Sequence, residues 1–514
     1  MKNEHAEGST SKSFVMLSGL TIAEKILGFL LQAAIASVMG ATIITDCYYA
    51  TFELTTLIDM TLVVAIIVVL LKQYADQLAQ NGRMAADTFL SNARMIILPA
   101  VVGLCALIFL LARPVSFVLA PRYDETSRAL LVKNIRLLSF LPAISTFSAF
   151  YLVILRQNKK FLVVGTKSLL INLGCFAGLG AYMILDAHSA TPLCIAYNIG
   201  FAFFCLVTFL SSRKYGRLRP VKPAWTPEMR TFTKMLFPLV ISNGVVRISL
   251  LVDRIISSLL GEGAVTCLTY AHMLSYLVEG VFIINISTVL LSDFVNLVAG
   301  GETEKINNKI ETSLTAMIML LVPVSIISVL CSRDIVAVVF GHGNFTDHEV
   351  SRVAGLLVFY AVGFVPAVIS NIYMQVHYAF GKTATAMRFS IISIVSNIVL
   401  SLLLAWKIGL PGIAVGTAIS YVISAVLYGF HTKKLLPTYS GGIKLGFLVK
   451  LVISSVICAA AVFAVQRFLP LGHLLTFAAA TVLGGGLFFL SLILMREPAV
   501  MRLLKTLKKT VKRG

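Results

Sequence analysis

The chain has 514 residues, of which 58% are hydrophobic and 13% charged, with a formal net charge of +20 at pH 7. Its mean hydropathy is +0.90. Because soluble proteins are usually about half apolar, this composition excludes an ordinary soluble domain and predicts a polytopic integral membrane protein. The basic residues lie between hydrophobic stretches and not on a soluble module, so the positive charge does not indicate nucleic-acid binding.

Apolar stretches of about 20 residues, the length needed to cross a bilayer, recur along the whole chain. They predict fourteen transmembrane helices at residues 13–39, 45–71, 86–112, 131–155, 160–185, 191–212, 231–258, 266–298, 308–332, 351–377, 385–407, 410–432, 445–468 and 471–495. The predicted fold class is an all-α integral membrane protein. Its helices form two lobes, of six and eight helices, around a central cavity.

Lys and Arg are concentrated in the two tails and in the loops that follow even-numbered spans. Cytoplasmic loops carry this excess, so both termini are predicted to be cytoplasmic and anionic lipids are expected partners. The proline-containing basic linker at residues 213–230 separates an N-terminal lobe, 1–212, from a C-terminal lobe, 231–495. Such a linker suits a transporter whose lobes rock against each other, although an ordinary loop anchored to headgroups would look the same.

The basic tail at residues 496–514 has apolar residues at helical spacing, namely Met501, Leu504, Leu507 and Val511. This pattern predicts an amphipathic helix lying on the inner leaflet.

Charged residues interrupt the first two spans. Lys25 follows Glu24 near the middle of the first, and the second contains Asp46, Glu53 and Asp59. An ionised side chain in hydrocarbon costs roughly 3 kcal/mol on insertion scales, so such residues usually face a polar cavity. The two spans are therefore predicted to form one wall of a hydrated, charged pathway.

Other ionisable residues lie inside later spans, namely Lys167, Arg247, Asp253, Arg254, His272, Glu279 and Asp293. Neighbours on a helix point about 100° apart, so one member of each adjacent pair, Glu24 with Lys25 and Asp253 with Arg254, needs a partner on another helix. The candidate substrate-binding residues are Lys25, Asp46, Glu53, Asp59, Arg247, Arg254 and His272. Cations there would bind phosphate or pyrophosphate, with carboxylates as counter-charges or ion-coupling groups. For each the alternative is a structural ion pair, and for His272 hydrogen-bonded packing.

No motif indicates an enzyme. The sequence HGNFTD, from His342 to Asp347, resembles an acyltransferase pattern but equally fits a turn. The eight cysteines are scattered singly, which predicts packing without metal or disulfide chemistry. Without an ATP-binding motif or any indicated cofactor, energy for transport is expected from the membrane potential, Na⁺, H⁺ or substrate supply.

Four segments resemble MurJ-type lipid II flippases, within the multidrug/oligosaccharidyl-lipid/polysaccharide exporter superfamily. They are ILGFLLQAAIASVMGATIITDCYYATFEL, LVDRIISSLLGEGAVTCLTYAHML, VVFGHGNFT and YAFGKTATAMR. The resemblance implies a two-lobed transporter that moves a polyprenyl-diphosphate-linked glycan to the outer leaflet for peptidoglycan synthesis. It also implies location in the bacterial cytoplasmic membrane, with cell-wall or polysaccharide assembly enzymes as further partners.

Carried over by position, Lys25 stands where the family has an essential arginine, and Asp46 matches its acidic residue at the start of helix 2. Three family cations are missing, at Leu31, Asp59 and Met273. The resemblance therefore implies either a rebuilt pyrophosphate site, using Arg247, Arg254 or Lys167, or a different lipid-linked glycan.

Several functions remain open at the level of sequence. The leading prediction is a flippase for lipid II, and an exporter of another lipid-linked oligosaccharide is the first alternative. A cation-coupled drug antiporter is the second, because the carboxylates of Asp46, Glu53 and Asp59 would suit cationic substrates. A membrane-embedded transferase would need catalytic residues that the sequence lacks, and a non-transporting scaffold is the remaining alternative.

Overall fold

The computed structural model describes residues 2–439, 443–469 and 472–501. Within these residues the chain is 86% helical and has no strand. Eleven helical segments of the described chain are long and apolar enough to cross a membrane. Large apolar side chains in the spans are exposed, such as Val482 at 71% and Phe430 at 67%. Contact with lipid is favourable for such side chains, whereas contact with water would not be. The predicted all-α membrane class is confirmed.

The chain forms two compact units. The first comprises Met1–Thr266 with Gly343–Phe345, and the second comprises Cys267–His342 with Thr346–Gly514. The helix after the linker packs on the early helices of the first unit. The lobe boundaries expected at residues 212 and 231 stay a prediction.

The first unit contains ten helices and one π-helical turn in its described part. They are α1 (Lys2–Met39), α2 (Ile43–Ile58), the first π-turn (Asp59–Val63), α3 (Val64–Leu110), α4 (Ala112–Leu119), α5 (Glu125–Leu138), α6 (Leu141–Gln157), α7 (Phe161–Gly165), α8 (Lys167–Ile184), α9 (Thr191–Ser212) and α10 (Pro227–Ser258).

The second unit begins within α11, after Thr266. Its described elements are α11 (Ala264–Glu279), the second π-turn (Gly280–Ile284), α12 (Asn285–Ala299), α13 (Thr303–Leu330), α14 (Ser332–Phe340), α15 (Asp347–Ala379), α16 (Thr383–Ile408), α17 (Pro411–Leu435), α18 (Leu445–Phe468) and α19 (His473–Leu494).

Two predicted spans lie in one continuous helical stretch, residues 43–110. Gly82 breaks that stretch with a φ of 77° and a ψ of 179°, a conformation that glycine adopts without steric cost. The spans predicted at 231–258 and 266–298 correspond to α10 and to α11 with α12. These are helical but are not among the eleven candidates. The count of fourteen crossings stays a prediction.

The predicted fourth span is divided into α5 and α6 at Ser139 and Phe140. Pro142 lies in the first turn of α6, where its missing N–H breaks no intrahelical hydrogen bond.

Each unit has its own apolar core. In the first, Leu70, Tyr74 and Leu90 of α3 pack with Phe150 of α6. The second has one cluster that includes Phe294 and Phe364, and another that includes Phe488. All eight cysteines are buried, as expected of residues that pack in the interior. In the predicted tail helix, Leu504, Leu507 and Val511 lie outside the described residues.

Candidate functional site

The α2 helix and the π-turn that follows it carry three of the predicted site residues, Asp46, Glu53 and Asp59. Gly40 ends α1 with a φ of 61°, and Thr42 then caps α2 through a reciprocal capping box with Thr45. The helix changes to a π-turn at Asp59. A π-turn inserts an extra residue, redirects the side chains that follow it, and is frequent at functional sites.

Asp46 is completely buried and caps the start of α11. Its Oδ2 accepts a hydrogen bond from the Gly263 N–H at 2.7 Å. Its Oδ1 accepts from the Thr266 N–H at 2.8 Å and from the Thr266 hydroxyl at 2.6 Å. A carboxylate at a helix N-terminus is favoured by the helix dipole and by the unpaired amides there. The structure therefore gives Asp46 a structural contact, and its role in substrate binding stays a prediction.

Glu53 and Arg254 form a loosely joined ion pair between α2 and α10. Arg254 Nε lies 4.0 Å from Glu53 Oε2, and the side chains are only 5% and 14% exposed. Arg254 Nε and Glu53 Oε1 have no hydrogen-bond partner among the described residues. The sequence argument that Arg254 or its neighbour pairs with another helix is confirmed. Buried charges that lack close hydrogen bonds recover little of their desolvation cost, so a ligand can supply what is missing.

A second ion pair joins Asp59 to Lys167 of α8. The Lys167 Nζ lies 3.5 Å from Asp59 Oδ2, with side-chain exposures of 32% and 6%. The ammonium also lies 4.9 Å from the ring centroid of Phe201. Asp59 Oδ1 is buried and has no hydrogen-bond partner in the described part of the chain. The sequence predicts Lys167 only as a substitute cation. Its position inside an apolar span was the one feature that pointed to a role for it in the site.

Among the described residues, no ion pair links the remaining predicted residues to Glu53, Arg254, Asp59 or Lys167. Lys25 is exposed on α1, and Arg247 is half-buried on α10. His272 lies in the second unit, where its ring is 6.1 Å from those of both Tyr276 and Tyr360. Their roles stay predictions.

Glu279, also in the second unit, is a further carboxylate, half-buried, that the predicted site omits. Its Oε1 accepts hydrogen bonds from the Ser275 hydroxyl at 3.3 Å and the Tyr421 hydroxyl at 3.4 Å. It immediately precedes the second π-turn. The sequence indicated it by an acidic residue near the middle of an apolar span.

The HGNFTD segment forms a turn and two helix caps. Asn344 donates its backbone N–H to Ser37 O and its Nδ2 to Val38 O, both at 2.7 Å, at the C-terminal end of α1. Thr346 forms a capping box with Glu349 at the start of α15. Gly343, with a φ of 62°, allows the close approach to α1. These contacts favour the turn interpretation of the segment over the acyltransferase one.

Sequence comparison relates the chain to one family across most of its length. The family model described as lipid II flippase MurJ matches residues 35–483. A probable lipid II flippase MurJ from Rhizobium tropici is 25% identical over 431 residues, which cover 81% of this chain and 80% of the relative. The corresponding protein of Bdellovibrio bacteriovorus is 25% identical over 462 residues, covering 87% and 86%.

Structure comparison gives the same fold. A lipid II flippase MurJ in an inward closed conformation superposes with a TM-score of 0.79 at 20% identity, covering 94% of this chain and 99% of that one. An inward-facing multidrug resistance MATE transporter of the MOP superfamily superposes with a TM-score of 0.69 at 14% identity, covering 83% and 99%. At these identities the likeness establishes the fold.

Proposed function

We propose that this chain, which belongs to the MurJ family of lipid II flippases, moves lipid II from the inner to the outer leaflet of the bacterial cytoplasmic membrane. The observation that carries the proposal is the family match over residues 35–483, which spans both compact units. Flippases move a lipid and leave its bonds intact, so family membership agrees with the prediction that the chain is not an enzyme.

The two loose ion pairs support a diphosphate-binding role for the first unit. Arg254 and Lys167 are cations on apolar helices, held 4.0 and 3.5 Å from their carboxylate partners. A diphosphate presents more acceptor oxygens and more charge than one carboxylate, so it competes for these donors. Glu53 and Asp59 then act as counter-charges that hold the cations when no lipid is bound. Lys25 and Arg247 add positive charge along the path, and Asp46 belongs to the same proposed site in the first unit. His272, in the second unit, is proposed as a further substrate-binding residue.

Orientation and coupling complete the proposal. The excess of Lys and Arg in the tails and the loops after even-numbered spans supports a cytoplasmic location for both termini. The two lobes alternate access to the site. The driving force is the membrane potential, Na⁺, H⁺ or consumption of the flipped lipid by cell-wall assembly enzymes.

The test is complementation of a bacterium depleted of its resident lipid II flippase, with lipid II counted on the outer leaflet. Expression of this chain is expected to restore growth and exposure of lipid II. The alternatives give different results: another lipid-linked glycan or a drug substrate predicts no rescue despite correct membrane insertion. Efflux and oligosaccharide export assays would then separate those two.

A charge-neutral double variant tests the site without leaving a buried charge unpaired. Glu53→Gln/Arg254→Gln removes both members of the pair, so the protein is expected to fold at normal abundance and to lose transport. Lys407→Gln, at an exposed position in the last turn of α16, is the matched control and should transport normally. Transport by the double variant at the wild-type rate would contradict a role for Arg254 in substrate binding.

A further inference from the structure

A large basic pocket lies in the first unit, apart from the two buried ion pairs. It has a volume of about 940 Å³ and is lined by residues 83–91 of α3 and residues 213–221 of the linker. Its charged lining residues are Arg83, Asp87, Arg213, Lys214, Arg217 and Arg219. The volume lies within the range of about 300–1,000 Å³ that is typical of small-molecule sites.

The linker wall of the pocket is fixed to α3 by hydrogen bonds. The Arg217 N–H donates to Asp87 Oδ2 at 3.3 Å, and the Arg219 N–H donates to Ser91 Oγ at 3.1 Å. Further along, Asn92 exchanges two hydrogen bonds of 2.8 Å with the backbone of Ala224. Because backbone groups make these contacts, the side chains of Arg217 and Arg219 remain available to a ligand.

The charge in the pocket is strongly unbalanced. It contains five cations, all exposed, and none of them has an ion pair within the described residues. Both oxygens of its single acid, Asp87, are already used, one by Arg217 N–H and the other by the Tyr74 hydroxyl at 2.8 Å. Such a concave cationic surface focuses potential and attracts anions with several charges.

The position of the pocket favours a lipid as the source of the anion. The linker cations Arg213 and Lys214 directly follow α9, a candidate span that ends at Ser212. Cations next to a span end lie at the depth of lipid headgroups, where each strengthens binding to anionic lipid.

We propose that this pocket binds a phosphate-bearing anion, the headgroup of an anionic membrane lipid or a free phosphate compound of the same chemistry. The site is separate from the pairs proposed to bind lipid II, and its occupancy does not depend on flippase activity. Failure of the complementation test would leave this proposal standing, and the reverse also holds.

The experiment is native mass spectrometry of the full-length protein in detergent. The probes are dioctanoyl phosphatidylglycerol, zwitterionic dioctanoyl phosphatidylcholine and inorganic pyrophosphate, each titrated separately. Each cation near the headgroups is expected to contribute about five-fold to the affinity, so Lys214→Ala/Arg217→Ala should weaken phosphatidylglycerol binding about 25-fold. If the alanine variant does not elute as folded protein, Lys214→Gln/Arg217→Gln replaces it.

The matched control is Lys433→Ala/Lys434→Ala, which removes two exposed cations from the last turn of α17. A loss of phosphatidylglycerol affinity in the pocket variant but not in the control variant supports the proposal. Binding of pyrophosphate with the same dependence on the pocket, and none of phosphatidylglycerol, supports the site with a soluble ligand. An equal loss of phosphatidylglycerol affinity in the pocket and control variants would overturn the proposal. It would also be overturned if the protein bound phosphatidylglycerol no better than phosphatidylcholine and did not bind pyrophosphate.

Discussion

The Asp46 cap makes a quantitative prediction about local opening of the first unit. Its carboxylate accepts three buried hydrogen bonds, from Gly263 and from two groups of Thr266. The amide of an Asp46→Asn variant has one acceptor oxygen, so at least one buried N–H is left without a partner. Hydrogen bonds to charged groups contribute about 1.5–3 kcal/mol and an orphaned buried donor costs about 1–3 kcal/mol. We expect Asp46→Asn to lower the free energy of local opening by about 3 kcal/mol.

Cys47 is a natural reporter for this opening because it is the next residue and is fully buried. Alkylation of native protein, quantified peptide by peptide, measures how often the thiol becomes accessible. A loss of about 3 kcal/mol corresponds to labelling on the order of 100-fold faster. Thr266→Val removes only the hydroxyl donor and should accelerate labelling about ten-fold, for a loss of about 1.5 kcal/mol.

Two internal comparisons control the experiment. Cys458 lies in the core of the second unit, and its labelling rate should not change. Thr226→Ala removes the hydrogen bond that caps the Met229 N–H at the start of α10 and none of the three hydrogen bonds to Asp46, so it should leave Cys47 labelling unchanged. Labelling of Cys47 in Asp46→Asn within five-fold of wild type would refute the reasoning.

Three further predictions concern backbone conformation, a buried pair and pH. Gly343→Ala and Gly381→Ala both place alanine at a positive φ, but only at Gly343 would the new Cβ collide with the Ser37 carbonyl. Gly381→Ala should lower the free energy of unfolding by about 1 kcal/mol, whereas Gly343→Ala should leave no monodisperse protein on size-exclusion chromatography. The same elution profile for both variants would contradict the close approach of Gly343 to Ser37. Lys167→Met leaves Asp59 unpaired and should lower the thermal midpoint in detergent, and Asp59→Asn in the same chain should restore most of it. A double variant no more stable than Lys167→Met would argue against the pair. Hydrogen bonds from Ser127 hold the pKa of the exposed Asp124 carboxyl below its usual value. Because the folded pKa is the lower one, this stabilisation is present above about pH 4 and is lost as pH falls through the folded pKa. The difference in thermal midpoint between wild type and Asp124→Asn should therefore shrink below about pH 4, and a constant difference would contradict the cap.

The sequence predicted what depends on local composition. Apolar length predicted the helices, and Pro142 lies just after the break between α5 and α6, where a proline is tolerated. The requirement for a partner outside the helix predicted that Arg254 or Asp253 would pair with another helix, and Glu53 is that partner. These inferences succeed because each rests on periodicity or on the cost of a buried charge.

What sequence could not predict are partners that lie far apart in the chain. Asp46 looks like one more intramembrane charge until its hydrogen bonds to Gly263 and Thr266, more than 200 residues away, are seen. The same holds for Lys167, whose partner Asp59 is separated from it by 108 residues. Periodicity assigns a residue to a helix face, but it does not give the rotation of one helix against another. The π-turns at Asp59 and Gly280 change that rotation further.

The contact of Asn344 with α1 has a consequence for the order of synthesis. Residues 343–345 belong to the first unit, yet they are separated from the rest of it by all of residues 267–342. At ~5–20 residues per second, a ribosome needs roughly 4–15 s to add that stretch. During this interval the carbonyls of Ser37 and Val38 lack the hydrogen bonds of Asn344, although the rest of the first unit has been synthesised. The first unit is therefore completed only after residues 267–342, the first segment of the second unit, have been synthesised, so its last hydrogen bonds depend on synthesis of part of the second.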